Sequence, residues 1–391
     1  MARHLLLGAI GALASRVSAD RVGNPAFSVA AQLENHAITT SGRFIIELSD
    51  SSAGGKFRKR DGTIDTDDIV ASVEAATNTT AEPALTFNSG IFQGLSVQLT
   101  SSNDTASTAA IEAIPGVAHA WPAALFTIPA TVRGELELGD DGLPLWTPHD
   151  MTGVSKAHAD GNYGQGVTVA IVDSGIDFNH PALGGGFGPG FKVAGGYDFV
   201  GDDYDPVLGT EPVPGGEPMD CGGHGTHVAG TVASTHEFNL GVAPNATLKA
   251  YKVFGCAGRA SEDIVIAGLL RAFEEGPDII SASLGSIQGF PYTPSSIVVS
   301  RLQAAGVFVS VAAGNSGLDG ESDSDAVAEG SNGSEMLILF PPGGPFLTSD
   351  LANGFDVTSV GSVAHGKVAA YVAKASASDG TTRDIVSLPV V

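Results

Sequence analysis

From residue 167 onward the chain alternates between short apolar runs rich in β-branched residues and segments of helical character. Residues 167–172, 247–254, 278–283 and 307–312 read as strands, and 225–233, 261–275 and 295–305 as helices. Ser261 stands at an expected N-cap, and Gly276 and Gly306 follow two helix ends. The strands lack a clean period of two, so both of their faces are covered, as in a parallel sheet with helices on each side. An α/β fold of this kind forms its sites outside the carboxyl ends of its strands.

Three polar residues fall at such places. Val169-Ala170-Ile171-Val172 runs into Asp173-Ser174-Gly175, and Val309-Ser310-Val311-Ala312-Ala313-Gly314 runs into Asn315. Between them, Cys221-Gly222-Gly223-His224-Gly225-Thr226-His227-Val228-Ala229-Gly230 sets a histidine at a helix start. Acyl transfer needs a nucleophile, a base, a carboxylate to fix the base's tautomer, and donors for the oxyanion. Singly, Asp173 reads as a strand-end cap, Asn315 as a turn former and His227 as a packed helix residue. In this order the three motifs resemble the subtilase family of serine endopeptidases. The resemblance implies a subtilisin-like fold with Asp173 as acid, His224 as base and Asn315 as the oxyanion-hole side chain. It also implies that Ser283-Leu284-Gly285 and Ala312-Ala313-Gly314 are two backbone ledges between which an extended polypeptide substrate lies as a strand. The family's nucleophile motif, Gly-Thr-Ser-Met-Ala, is absent from the 391 residues. The closest echo, Gly380-Thr381-Thr382, has no serine. The expectation is a peptidase unit over 149–391 that stops short of its serine and is inactive as written. The alternative is a non-catalytic secreted module that binds peptides or inhibits. Residues 319–344 read as an insertion or an error in the gene model, and both stay open.

Residues 43–128 form a separate small unit. Segments 43–48, 95–100 and 119–126 read as strands and 66–76 and 105–114 as helices, an α+β arrangement of helices on an antiparallel sheet. Its place resembles the family's inhibitor prodomain, which implies that it acts as an intramolecular inhibitor. Residues 129–148, rich in Gly, Pro and acids, read as a linker.

The first nineteen residues carry Arg3 and His4, an apolar stretch from Leu5 to Leu13, and Val17-Ser18-Ala19, which together read as a secretory signal. Secretion suits Cys221 and Cys256, which precede the histidine helix and follow the neighbouring strand; they pair there or remain two buried thiols. It also suits four glycosylation sequons, at Asn78, Asn103, Asn245 and Asn332. With 43 acidic against 19 basic residues and a net charge of −24, the surface repels phosphate backbones, so nucleic acid is excluded as a partner. No membrane association is expected. The chemistry requires no cofactor, although the acidic loop of Asp198, Asp202, Asp203 and Asp205 offers oxygen ligands of the type Ca²⁺ takes.

Overall fold

The computed structural model describes residues 39–49, 54–59, 61–128, 148–237, 239–286, 292–314, 348–361, 371–376 and 382–387. The expected signal, nearly all of the linker, the segment 319–344, Asn315 and Asn332 lie outside these residues.

The N-terminal unit contains β1 (Thr39–Leu48), α1 (Thr66–Thr77), β2 (Ala81–Asn88), β3 (Gln93–Leu99), α2 (Asp104–Glu112) and β4 (Val117–Thr127). Phe44, Ile46, Leu95, Val97 and Ala120 on one face of the sheet pack against Ile69 and Val73 of α1 and Ile111 of α2. The other face, through Ile45, Phe87, Trp121 and Phe126, joins the core of the second half of the chain. Strand β2 was not expected from the sequence. It lies at the sheet edge, fully buries only Ala81 and Phe87 with Leu85 half-buried against the core, and carries Pro83 at a register shift, where a residue without N–H is tolerated.

The second half contains α3 (His149–Thr152), α4 (Val154–Ala159), β5 (Thr168–Asp173), β6 (Val193–Asp198), α5 (His224–Ala233), β7 (Thr235–His236), β8 (Asn239–Leu240), β9 (Thr247–Lys252), β10 (Arg259–Ser261), α6 (Glu262–Glu274), β11 (Ile279–Ala282), α7 (Pro294–Ala304), β12 (Phe308–Ala312), β13 (Thr358–Val360), β14 (Tyr371–Ser376) and β15 (Thr382–Ser387). Its principal sheet runs β13-β12-β11-β5-β9-β6, parallel at every pairing. On β5, Val169 and Ile171 face Ala229 and Ala233 of α5, while Ala170 and Val172 join the core that holds α6 and α7. Both faces are therefore covered, which is why the strand reads as an unbroken apolar run. The edge strand β13 is only three residues long.

The two halves share one ladder. Strand β10 pairs antiparallel with β4 (Arg259 with Thr127, Ser261 with Leu125), making a five-stranded sheet β10-β4-β1-β3-β2. Among the described residues no helix is long and apolar enough to cross a membrane. Thr382, in the nearest echo of the nucleophile motif, opens strand β15 rather than a helix.

Candidate active site

Asp173 is the last residue of β5 and is fully buried. Its Oδ1 lies 2.8 Å from His224 Nδ1 and accepts the Ser174 N–H at 2.7 Å. Among the described residues its Oδ2 has no partner. Burial pushes the Asp173 carboxyl above its ordinary range, and the bonds from His224 and Ser174 pull against that rise. The His224 imidazole is raised, first by its hydrogen bond to Asp173, against the opposing effect of burial. A carboxylate on Nδ1 fixes the tautomer that leaves Nε2 as the acceptor, and among the described residues Nε2 carries no hydrogen bond. The pair is thus arranged as an oriented base.

Backbone geometry makes this approach feasible. Gly225 follows the histidine, and a Cβ there would collide with the Gly175 carbonyl oxygen and lie 3.1 Å from Asp173 Cβ. Gly223, at φ 88°, turns the chain into α5 in the left-handed region that favours glycine.

Below this turn a disulfide joins Cys221 to Cys256, with Cα atoms 5.3 Å apart. Lys252, fully buried at the end of β9, reaches the same loop. Its Nζ donates to Asp202 Oδ1 at 2.5 Å and to the Met219 carbonyl at 2.8 Å. The acids of the 198–205 loop are engaged internally. Asp198 Oδ1 accepts the N–H groups of Val200 and Gly201, Asp202 meets Lys252, and Asp205 pairs with Arg259. Among the described residues no three of these four carboxylates bring oxygens within 4.8 Å of one another.

The two expected ledges lie side by side, since β11 pairs with β12 through Ala282 and Val311. Ser283, Leu284 and Gly285 continue one strand, and Ala313 and Gly314 the other. Ser349 sits between them, donating its N–H to the Ala313 carbonyl at 2.9 Å and its Oγ to the Ala312 carbonyl at 2.8 Å. A Cβ on Gly285 would lie 2.5 Å from the Ser349 Cβ. Three sequon asparagines, Asn78, Asn103 and Asn245, are exposed. The Asn103 Oδ1 caps α2 by accepting the Ala106 N–H, which leaves its Nδ2 outward.

The Subtilase family model matches residues 164–385, more than half of the chain. The chain belongs to the subtilase family. Subtilases are serine-type endopeptidases, and several relatives match part of this chain. The minor extracellular protease Vpr of Bacillus subtilis (strain 168) is 43% identical over 168 residues, covering 43% of this chain and 20% of that protein. An intracellular serine protease of Paenibacillus polymyxa is 39% identical over 165 residues, covering 41% and 45%. Subtilisin DY of Bacillus licheniformis is 38% identical over 168 residues, covering 42% and 53%. The matched stretch therefore spans from a fifth to just over half of these subtilase relatives' length. Two residues were not singled out in the sequence: Asp220, in the turn before the histidine, and Asp350, which accepts the Ser286 N–H at 2.8 Å just past the 283–285 ledge. For Asp220 the signal was its place four residues before the histidine, in a glycine-rich turn with many free N–H groups to satisfy.

Proposed function

We propose that this subtilase is the precursor of a secreted subtilisin-like endopeptidase in which Asp173 is the acid and His224 the base. The observation that carries the reading is the 2.8 Å bond from buried Asp173 to His224 Nδ1, with Nε2 left without a partner. In peptide hydrolysis Nε2 would take the proton of an attacking serine hydroxyl and return it to the leaving amine, while Asp173 stabilises the imidazolium. Asn315 would donate its side-chain amide to the oxyanion, and the ledges at 283–285 and 312–314 would hold the substrate backbone. The disulfide and the exposed sequons support an oxidising, extracellular destination.

The N-terminal unit, 43–128, is proposed as an inhibitor module. Its support is the β4–β10 ladder together with side-chain ties across the joint, among them Arg43 to Asp263 and Arg301 to Glu47. Ser96 Oγ donates to Asp263 Oδ2 at 2.6 Å, the Ala124 N–H to Glu262 Oε2 at 3.1 Å, and Trp121 Nε1 to the Tyr292 carbonyl at 3.0 Å.

A second reading draws on the same docked unit: a non-catalytic secreted protein that keeps the ledges or the N-terminal unit for binding. One experiment separates them. The secreted native protein is sized and treated with a fluorophosphonate, which labels an activated serine. Labelling that disappears in His224→Ala supports the endopeptidase. A secreted product of the 391-residue size that is never labelled supports the second reading.

A further inference from the structure

The Asp220 carboxylate accepts five hydrogen bonds. Oδ1 takes the Ser174 Oγ hydroxyl at 2.9 Å and the N–H groups of Gly222 and Gly223 at 2.9 and 2.8 Å. Oδ2 takes the Thr226 N–H at 2.9 Å and the Thr226 hydroxyl at 2.5 Å. Ser174 Oγ in turn accepts the Gly225 N–H at 2.9 Å. Because Ser174 follows Asp173 and Gly225 follows His224, these bonds close a ring around the Asp173–His224 pair.

We propose that Asp220 is a positioning residue that clamps the turn before α5 and so aims the His224 ring at Asp173, an inference that rests on His224 acting as base. A helix start leaves its first N–H groups without partners, and a cap side chain normally satisfies them. The N-cap of α5 is Gly223, which has no side chain to offer. Asp220 supplies the missing acceptor from three residues upstream. Charge acts in the same direction as geometry. His224 is the first residue of α5, where the positive end of the helix dipole disfavours an imidazolium. A carboxylate held in that turn offsets the dipole, and the Asp220 field adds to the larger effect of Asp173 in raising the imidazole. The charged groups around the ring's turn are Asp173 on β5, Asp220 itself, and Lys252 on β9, paired with Asp202 and touching the Met219 carbonyl. Among the described residues the turn is also faced by exposed His227 on α5, by His180, and by Asp177, whose N–H donates to Thr226 Oγ1 at 2.8 Å.

The test reads the ring directly, so it needs no turnover. In the full chain, proton NMR follows the His224 Cε1–H titration and the low-field Nδ1–H signal of the bond to Asp173. Asp220→Asn is expected to lower the midpoint by roughly half a pH unit and to broaden the Nδ1–H signal. Asp220→Glu, which keeps the charge, is expected to restore most of the midpoint. Should Asp220→Asn not fold, Thr226→Val keeps the carboxylate but removes one donor, and is expected to broaden the Nδ1–H signal alone. A variant set that melts lower while leaving both midpoint and Nδ1–H signal unchanged overturns the proposal. Asp173→Asn separates the two readings. If it too leaves the midpoint in place, the assignment of His224 as an acid-supported base fails, whatever Asp220 does.

Discussion

Glu262 and Asp350 meet inside the protein with the Ser295 hydroxyl between them. Ser295 Oγ donates to Glu262 Oε1 at 2.6 Å and lies 3.4 Å from Asp350 Oδ2. Neither acid is exposed, and Glu262 also accepts the Ala124 N–H from the N-terminal unit. Burial, then the nearby Asp350 charge, pushes Glu262 up to about 7, and burial pushes Asp350 up to about 6.

A carboxyl whose pKa is raised on folding stabilises the native state while it stays protonated. That contribution is complete below the ordinary glutamate value and is lost as pH rises through about 7. The joint between the halves should therefore weaken between about pH 5 and 8, by an amount on the order of 2 kcal/mol. Thermal melts across that range should fall for the unaltered chain and fall less steeply for Glu262→Gln, in which only the buried Asp350 still titrates. Equal slopes in both would remove the acid pair as the cause.

Opening the disulfide should cost more than any single surface change. Cys221 and Cys256 close a loop of 35 positions. The chain-entropy account assigns such a loop about 4 kcal/mol. A double Cys→Ser variant should lose stability of this order in denaturant titrations; a loss under ~1 kcal/mol would contradict that account.

Gly225→Ala is expected to do two things at once. The added methyl would strike the Gly175 carbonyl oxygen and press on Asp173. The cost should be ~2–3 kcal/mol in stability, of the size seen for overpacking. The His224 titration should also move toward that of an unpaired imidazole. A variant with unchanged stability would show that the turn has more room than the structure gives it.

The 391-residue chain is expected to hydrolyse no peptide at a measurable rate. Loss of the serine alone costs roughly a million-fold, a figure measured in subtilisin, itself a member of this family. Purified chain and His224→Ala should give the same background with a generic peptide. Turnover that depends on His224 would mean that another hydroxyl serves as nucleophile.

The parallel sheet was legible because its strands are short, apolar and followed by residues with functional side chains. Asp173 and His224 stood at the ends of such elements, and Cys221 and Cys256 flanked them. Boundaries moved by one or two residues, as with α7, expected at 295–305 and found at Pro294–Ala304. Thr293 caps that helix from just before Pro294, its side chain accepting the Ser296 N–H. Ser261 does occupy the N-cap position of α6, but its side chain makes no capping bond. Glu262 and Asp263 stand in the first turn of α6, where acids favour any helix start. They are interior because Glu262 meets Ser295 and the Ala124 N–H while Asp263 meets Ser96, and no local pattern encodes partners so far off in sequence. The same limit hid β10, whose three residues become a strand only beside β4.

Cys221 adjoins Asp220, so the covalent tie to Cys256 ends on the very turn that presents the histidine. Where thiols are kept reduced, that turn would be held by hydrogen bonds only, chiefly those of the Asp220 carboxylate, the Lys252 ammonium and Ser174. Oxidation thus acts as a final tightening of the base's mounting. A molecule folded in a reducing compartment would carry the same side chains with a looser aim, reaching its set geometry only after entering surroundings where sulfur pairs.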